Sequence, residues 1–314
     1  MPGLLTVFRK ELADHFSSRR FLILFTLVLI SGLGASYVAA QSIRDELGRA
    51  SESSISVFLL LFTASTGALP AFVTFMGFLG PLVGLALGFD AINGEQARGT
   101  LSRLLAQPIY RDSVINGKFL AGLTTIAVML TCITLLAAGL GIPLVGRPPG
   151  VDDLARLALF VMVTVVYVAF WMAAAIFFSI LFRQVATAAL AGIALWIVCA
   201  FFVSMLAGVG AGVVAPLGPD PTAAQQLQNA QVEQALSRIS ATTLYAEAAN
   251  VVMNPSRRLL GPVMSSEVRG MIPSPLSLVQ SLLLVWPQVS GLVAMTCLCF
   301  AASYIRFMRQ EIRA

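Results

Sequence analysis

Uncharged apolar runs long enough to cross a bilayer recur six times along the chain, with polar connections between them. A hydrocarbon core of about 30 Å needs about 20 helical residues. The runs are Phe21–Ala40, Ala71–Phe89, Phe119–Val145, Leu157–Phe182, Val185–Gly212 and Val279–Phe307, and apart from Arg306, next to the end of the last, they hold no Asp, Glu, Lys or Arg. The second run has a long approach, since Ile55 to Phe89 carries no charge. Pro70 divides it, so Ala71–Phe89 reads as the span and Ser54–Leu69 as a re-entrant or interfacial segment. Pro287 predicts a kink in the last span. The runs are continuous rather than alternating over ten residues, which implies helices and not a barrel. The expectation is an all-α membrane protein with six transmembrane helices, forming a single transmembrane domain over residues 1–314.

The connections set the orientation. Six spans put both ends on one side. With the N-terminus inside, twelve Lys and Arg fall in cytoplasmic segments: Arg9, Lys10, Arg19, Arg20, Arg98, Arg103, Arg111, Lys118, Arg183, Arg306, Arg309 and Arg313. The two short outer loops hold Arg44, Arg49, Arg147 and Arg156 among five acidic residues. That asymmetry predicts a multi-pass protein of the cell membrane with N- and C-termini cytoplasmic. Phe21–Ala40 is too long for the apolar part of a usual signal peptide, and Glu11 and Asp14 precede it, so it is expected to stay as a span.

Composition then narrows the chemistry. Apolar residues make up 58% and charged residues 11%, with a mean hydropathy of +0.87. So few charges do not cover a water-facing surface. Cys132, Cys199, Cys297 and Cys299 all lie in apolar runs, and His15 is the sole histidine. Disulfide frameworks, His-rich metal sites and catalytic triads are therefore not expected. The formal charge of +5 fits basic loops facing anionic lipid, with no nucleic acid as partner.

Three segments outside the spans carry patterns. In residues 1–20, Leu4, Leu5, Phe8, Leu12 and Phe16 fall within an arc of about 120° at 100° per residue, with Arg9, Lys10, Glu11 and Asp14 outside it. This predicts an amphipathic helix in the membrane interface, with His15 as a packing residue near the headgroups. The long segment 213–278 opens with Pro216, Pro219 and Pro221. Ala223–Asn250 then reads as helical, burying Val232, Leu236 and Ile239, as an extracytoplasmic cap over the outer mouth. Within the spans, Gly80, Gly84 and Gly88 form a small-residue stripe suited to close helix packing. Met129 and Cys132, one turn apart, are soft atoms, but core packing is the reading that needs no further partner.

The connection 90–118 has the most specific pattern. Leu101, Leu104 and Leu105 form an apolar face at i, i+3, i+4, Pro108 ends the helix, and Arg98 and Arg103 project elsewhere. A short amphipathic helix of this kind fills a partner's groove or rests on the membrane; periodicity does not decide between them. No nucleotide site accompanies it. Gly117-Lys118 is the one Gly-Lys pair, with Asp112 where a P-loop needs Gly and Phe119 where it needs Ser or Thr.

The order Gly94-Glu95…Arg98-Gly99-Thr100-Leu101…Leu104-Leu105…Pro108…Arg111…Gly117-Lys118 resembles the loop between the second and third spans of ABC-2-type transporter permeases, membrane subunits of type V ABC exporters. Arg9-Lys10-Glu11-Leu12 is similar to that family's amphipathic connecting helix, and the six-span plan fits along the whole chain. Phe89–Glu95 and the large outer segment look most like the branch with the permease for copper-site maturation of nitrous oxide reductase. The resemblance implies a coupling helix at Gly94–Ala106, seated on a cytoplasmic ABC ATPase present in two copies per complex. It also implies a second permease subunit, homo- or heterodimeric, with the N-terminal helix beside the coupling helix. ATP and Mg would bind to the ATPase, with no cofactor on this chain and no catalytic residue. Such permeases export lipids, glycans, drugs or peptides, or transmit force to an extracytoplasmic partner. Arg98 and Arg103 stand where family members often have acidic or neutral residues, which bears on which ATPase fits. A stand-alone carrier or channel, or a membrane anchor for an outer maturation machine, are the rival readings.

Overall fold

The computed structural model describes residues 2–47, 57–65, 69–100, 107, 109–146, 148–218, 220–255 and 276–310. Its helices are α1 (Pro2–Ser17), α2 (Arg19–Leu47), α3 (Val57–Thr63), α4 (Phe72–Gly88), α5 (Asn93–Ala97), α6 (Arg111–Val145) and α7 (Val151–Leu181). Then follow α8 (Val185–Ile197), a π-helical step at Val198–Phe202, α9 (Val203–Val214), α10 (Ala223–Ser237), α11 (Ala241–Met253) and α12 (Leu278–Arg309). No strand occurs among the described residues. Six helical segments are long and apolar enough to cross a membrane: α2, α4 with α5, α6, α7, α8 with α9, and α12. The all-helical, six-span expectation holds.

The bundle is built around α7, whose side chains from Phe160 to Ile176 supply much of the core. Lipid is as apolar as a leucine side chain, so close backbone approach rather than water exclusion holds spans together. The glycine stripe of α4 provides that approach. A Cβ on Gly84 would stand 2.5 Å from the Val168 carbonyl oxygen, and one on Gly88 2.6 Å from that of Met172. Gly80 meets the Val168 side chain instead, at 3.0 Å. Pro81 sits inside α4 and has no N–H for the carbonyl four residues back, which is Gly77. The Tyr167 hydroxyl of α7 donates to that oxygen at 2.9 Å, so the proline's missing bond becomes an inter-span bond. Tyr167 also stacks on Tyr245 at 4.2 Å between ring centroids.

The first described helix and the end of the last meet at one end of the bundle, the basal end: α1 packs along α6, and Arg111 at the start of α6 donates to the Gln310 carbonyl after α12. The opposite, distal end departs from the sequence reading in two places. Segment 223–250 is not one helix and not a cap. α10 runs back along α9, with Asn229 donating to the Ala215 carbonyl at 2.7 Å. The chain turns at Ser240 and returns as α11, packed against α12, α7 and α4. At the turn, Ser240 and Thr242 both donate to the Cys199 carbonyl, at 2.8 and 3.0 Å. Cys199 lies midway along the span Val185–Val214, so the hairpin re-enters the bundle to half its depth. Val232 and Leu236 are half-buried, but Ile239 is 71% exposed at the turn. Periodicity extrapolated through a break puts a residue on the wrong face.

Arg156 is the second departure. Read as an outer-loop cation, it is 1% exposed inside α7. Its Nε donates to Asp152 at 2.7 Å, and its terminal nitrogens donate to the carbonyls of Val252 and Leu276 and to the Ser281 hydroxyl. The guanidinium fork therefore ties the end of α11 and the approach to α12 onto α7. The soft pair of the third span divides: Met129 is buried and Cys132 exposed.

Candidate functional site: the basal charge cluster

The cluster starts from one glycine. Gly117 lies on the face of α6 that receives α1, where a Cβ would stand 2.8 Å from Val7 and 3.3 Å from the Phe8 nitrogen. Without that side chain α1 lies close on α6, and Val7 and Glu11 become buried. The apolar arc read from the sequence is only partly the buried one. Leu4, Phe8 and Leu12 are half-buried, while Leu5 and Phe16 are exposed. Glu11, placed on the polar side, faces the protein because a cation waits there.

That cation is Lys118, whose side chain is 6% exposed. Its Nζ stands 2.9 Å from Glu11 and 2.7 Å from Glu95, at the start of the loop between the second and third spans. Lys10 completes the group, 2.8 Å from Glu11, 2.9 Å from Asp14 and 3.8 Å from Glu95. Burial works against the charge on Glu11, but Lys118 and Lys10 outweigh it and hold the carboxyl below its ordinary range. Lys10 is likewise raised by its carboxylates against the opposing effect of burial. His15 is lowered chiefly by burial.

The loop is fastened to α7 at its root. Ser179 accepts from the backbone nitrogens of Ile92 and Asn93 at 3.0 and 3.2 Å, and donates to Asn93 Oδ1 at 3.0 Å. Asn93 Nδ2 donates to the Phe182 carbonyl at 3.2 Å. Gly94 is buried beside Asp90, which pairs with Arg20 and lies 4.0 Å from Arg98. The Arg20 guanidinium also rests 5.2 Å from the centre of the Phe89 ring. Gly99 has φ +66°, a left-handed conformation that turns the chain after α5, and the Thr100 hydroxyl donates to the Glu95 carbonyl. A cavity of about 520 Å³ opens among these groups, lined by Lys10, Asp14, His15, Arg19, Asp90 and Arg98.

Of the residues singled out in the sequence, Gly94, Glu95, Arg98, Gly99, Thr100 and Arg111 lie at this basal end. Leu101, Arg103, Leu104, Leu105 and Pro108 lie outside the described residues. Sequence reasoning missed Asp90, Asn93 and Ser179. Two polar residues following a 35-residue uncharged run were the available signal for the first pair.

Comparison with known proteins bears on this geometry. Residues 5–312 match the model of the ABC-2 family transporter proteins. The chain is similar to the probable ABC transporter permease protein NosY of Pseudomonas aeruginosa, 32% identical over 120 residues, 38% of either chain. It is also similar to that of Stutzerimonas stutzeri, 32% identical over 111 residues, 35% of either chain. The matched stretches thus span about two fifths or less of these curated relatives. With the family model covering the chain almost end to end, this six-span protein belongs to the ABC-2 transporter family, as a membrane permease subunit.

Proposed function

We propose that this chain couples ATP hydrolysis by a cytoplasmic partner ATPase to export of a substrate, or to force transmitted across the membrane. The observation that carries the reading is the Lys118–Glu11–Glu95 group, which joins α1, α5 and α6 beneath the loop that begins at Asp90. Attraction between charges this well shielded from water is strong, so a push on the loop moves the connecting helix and the third span with it. Ser179 and Asn93 pass the same push to the fourth span. The Lys/Arg asymmetry supports a cytoplasmic basal end. Two permease subunits, each with its own ATPase carrying ATP and Mg, complete the assembly that the family implies.

The stand-alone carrier has one observation in its favour, because the hairpin brings the Arg238–Glu247 pair to bilayer depth. Ion carriers keep such groups for the moving ion. Here the carboxylate already accepts from Gln234 at 2.6 Å, from Arg238 at 3.0 and 3.2 Å, and from Gln288 at 2.9 Å, which leaves little for an ion. ATP hydrolysis by the purified chain, alone and after reconstitution with a co-purifying ATPase, tests the proposal. Turnover is expected only in the complex; turnover by the chain alone, or transport without any ATPase, contradicts it.

A further inference from the structure

The re-entrant hairpin carries a cation whose position the coupling reading does not use. Arg238 stands two residues before Ser240, whose hydroxyl reaches the Cys199 carbonyl midway along the fifth span. A guanidinium at that depth is costly and needs an anion or water beside it. Glu247 supplies one, but on one edge only. The contacts of Arg238 to Glu247, 3.0 Å to Oε2 and 3.2 Å to Oε1, both run through Nε. Among the described residues neither Nη atom has a hydrogen-bond partner, and the side chain is 38% exposed.

The carboxylate is held more firmly than the guanidinium. Glu247 is 12% exposed and fixed from two sides, by Gln234 of α10 and Gln288 of α12. It therefore fixes the plane of the Arg238 fork and leaves the outer edge, formed by one hydrogen from each Nη, without a bond of its own among the described residues. Glu233 is the other acid on α10, and it lies against α9 at Gly208 rather than with Glu247. A pair built only to neutralise a buried carboxylate would present the two-nitrogen edge of the arginine to it, since that geometry gives two parallel bonds. This one spends a single nitrogen.

We propose that the outer edge of Arg238, oriented by Glu247, is a binding site for an anionic group, carboxylate or phosphate, on the molecule that the permease handles. The proposal rests on the transport reading for the origin of that molecule, but binding is read on the chain without an ATPase. The site binds the group bidentately at half the bilayer depth, where little water competes for it.

The test uses the full chain in phosphatidylcholine nanodiscs, with dodecyl phosphate as the anionic probe and dodecyl maltoside as its uncharged control. Modification of each arginine by phenylglyoxal is followed by mass spectrometry, with exposed Arg19 and Arg98 as references. Dodecyl phosphate should slow modification of Arg238 about tenfold relative to the references, and dodecyl maltoside should not. Protection in phosphatidylglycerol nanodiscs without probe would support the site and identify a lipid headgroup as the source of the anion. Thermal unfolding supplies the second arm. Dodecyl phosphate should raise the Tm of the wild-type chain, and should not raise that of the Arg238→Gln/Glu247→Gln double variant, in which the charges are removed together. The proposal is overturned if Arg238 is unreactive throughout, if both detergents protect it equally, or if the double variant is stabilised as much as wild type. A complex that hydrolyses ATP normally while failing these tests would overturn this site and leave the coupling reading standing.

Discussion

Lys118 is the residue on which the basal end depends. Removing its charge leaves Glu11 and Glu95 facing each other with little water to screen them, and breaking a buried ion pair costs roughly 3–5 kcal/mol. Lys118→Met is expected to destabilise the chain by about 3 kcal/mol, the low end because Lys10 still faces both carboxylates. Lys118→Arg should recover part of that loss; thermal unfolding in detergent checks both. The same cluster sets a pH dependence. The folded chain holds His15 below its ordinary value of 6.5, so the unfolded chain takes up that proton first and stability falls as pH drops below about 6.5. Glu11 is held below its ordinary 4.5, so its contribution is complete above about pH 4.5 and is lost on further acidification. Tm measured from neutral to acid pH should therefore fall in two stages, and His15→Gln should remove the first; a flat profile would contradict the assignment. At this scale the sequence was half legible. Glu95 and Lys118 stood out through the loop order that resembles ABC-2-type permeases, but the burial of Arg156 did not, because beyond Asp152 its fork is filled by the carbonyls of Val252 and Leu276, and a backbone carbonyl carries no sequence signal.

Among the elements, α4 and α7 approach closely enough for glycine to meet backbone, and the cause is specific. Gly84→Ala would place a methyl group 2.5 Å from a backbone oxygen and 2.9 Å from a backbone nitrogen, neither of which can rotate away. The helices must separate, at an expected cost of about 1–3 kcal/mol. Gly34→Ala, where a Cβ meets nothing within 4 Å, should be neutral or slightly stabilising in the same unfolding assay. Equal losses at both positions would contradict the α4–α7 contact as the cause, since alanine has the higher helix propensity at either site. The spans were readable because each is a long apolar run. The hairpin was not, for a physical reason: α11 has 13 residues and contains Glu247, too short and too polar to register as a membrane segment. It reaches depth because Glu247 finds Arg238, Gln234 and Gln288 there, and Ser240 and Thr242 find a carbonyl at the π-helical step. Steps of this kind recur at functional sites in helices.

For the whole molecule, the two ends of the bundle do different things. The basal end ties a connecting helix, a loop and the third and fourth spans into one charged joint, and the distal half folds a polar hairpin back between apolar helices. The central claim is that a partner ATPase drives this joint through the 90–118 loop. The most direct measurement is disulfide crosslinking from Ser102→Cys, in a background lacking Cys132, Cys199, Cys297 and Cys299, to cysteines placed along the groove of the co-purified ATPase. Crosslinks should form in the assembled complex. Leu104→Ala, removing about 2–3 kcal/mol of apolar contact if that side chain is fully buried, should weaken docking roughly 30- to 150-fold. Reversing Arg98 and Arg103 to Glu should slow assembly and reduce its salt sensitivity. Absence of any crosslink, or wild-type crosslinking and ATP-driven activity in both variants, would contradict the account.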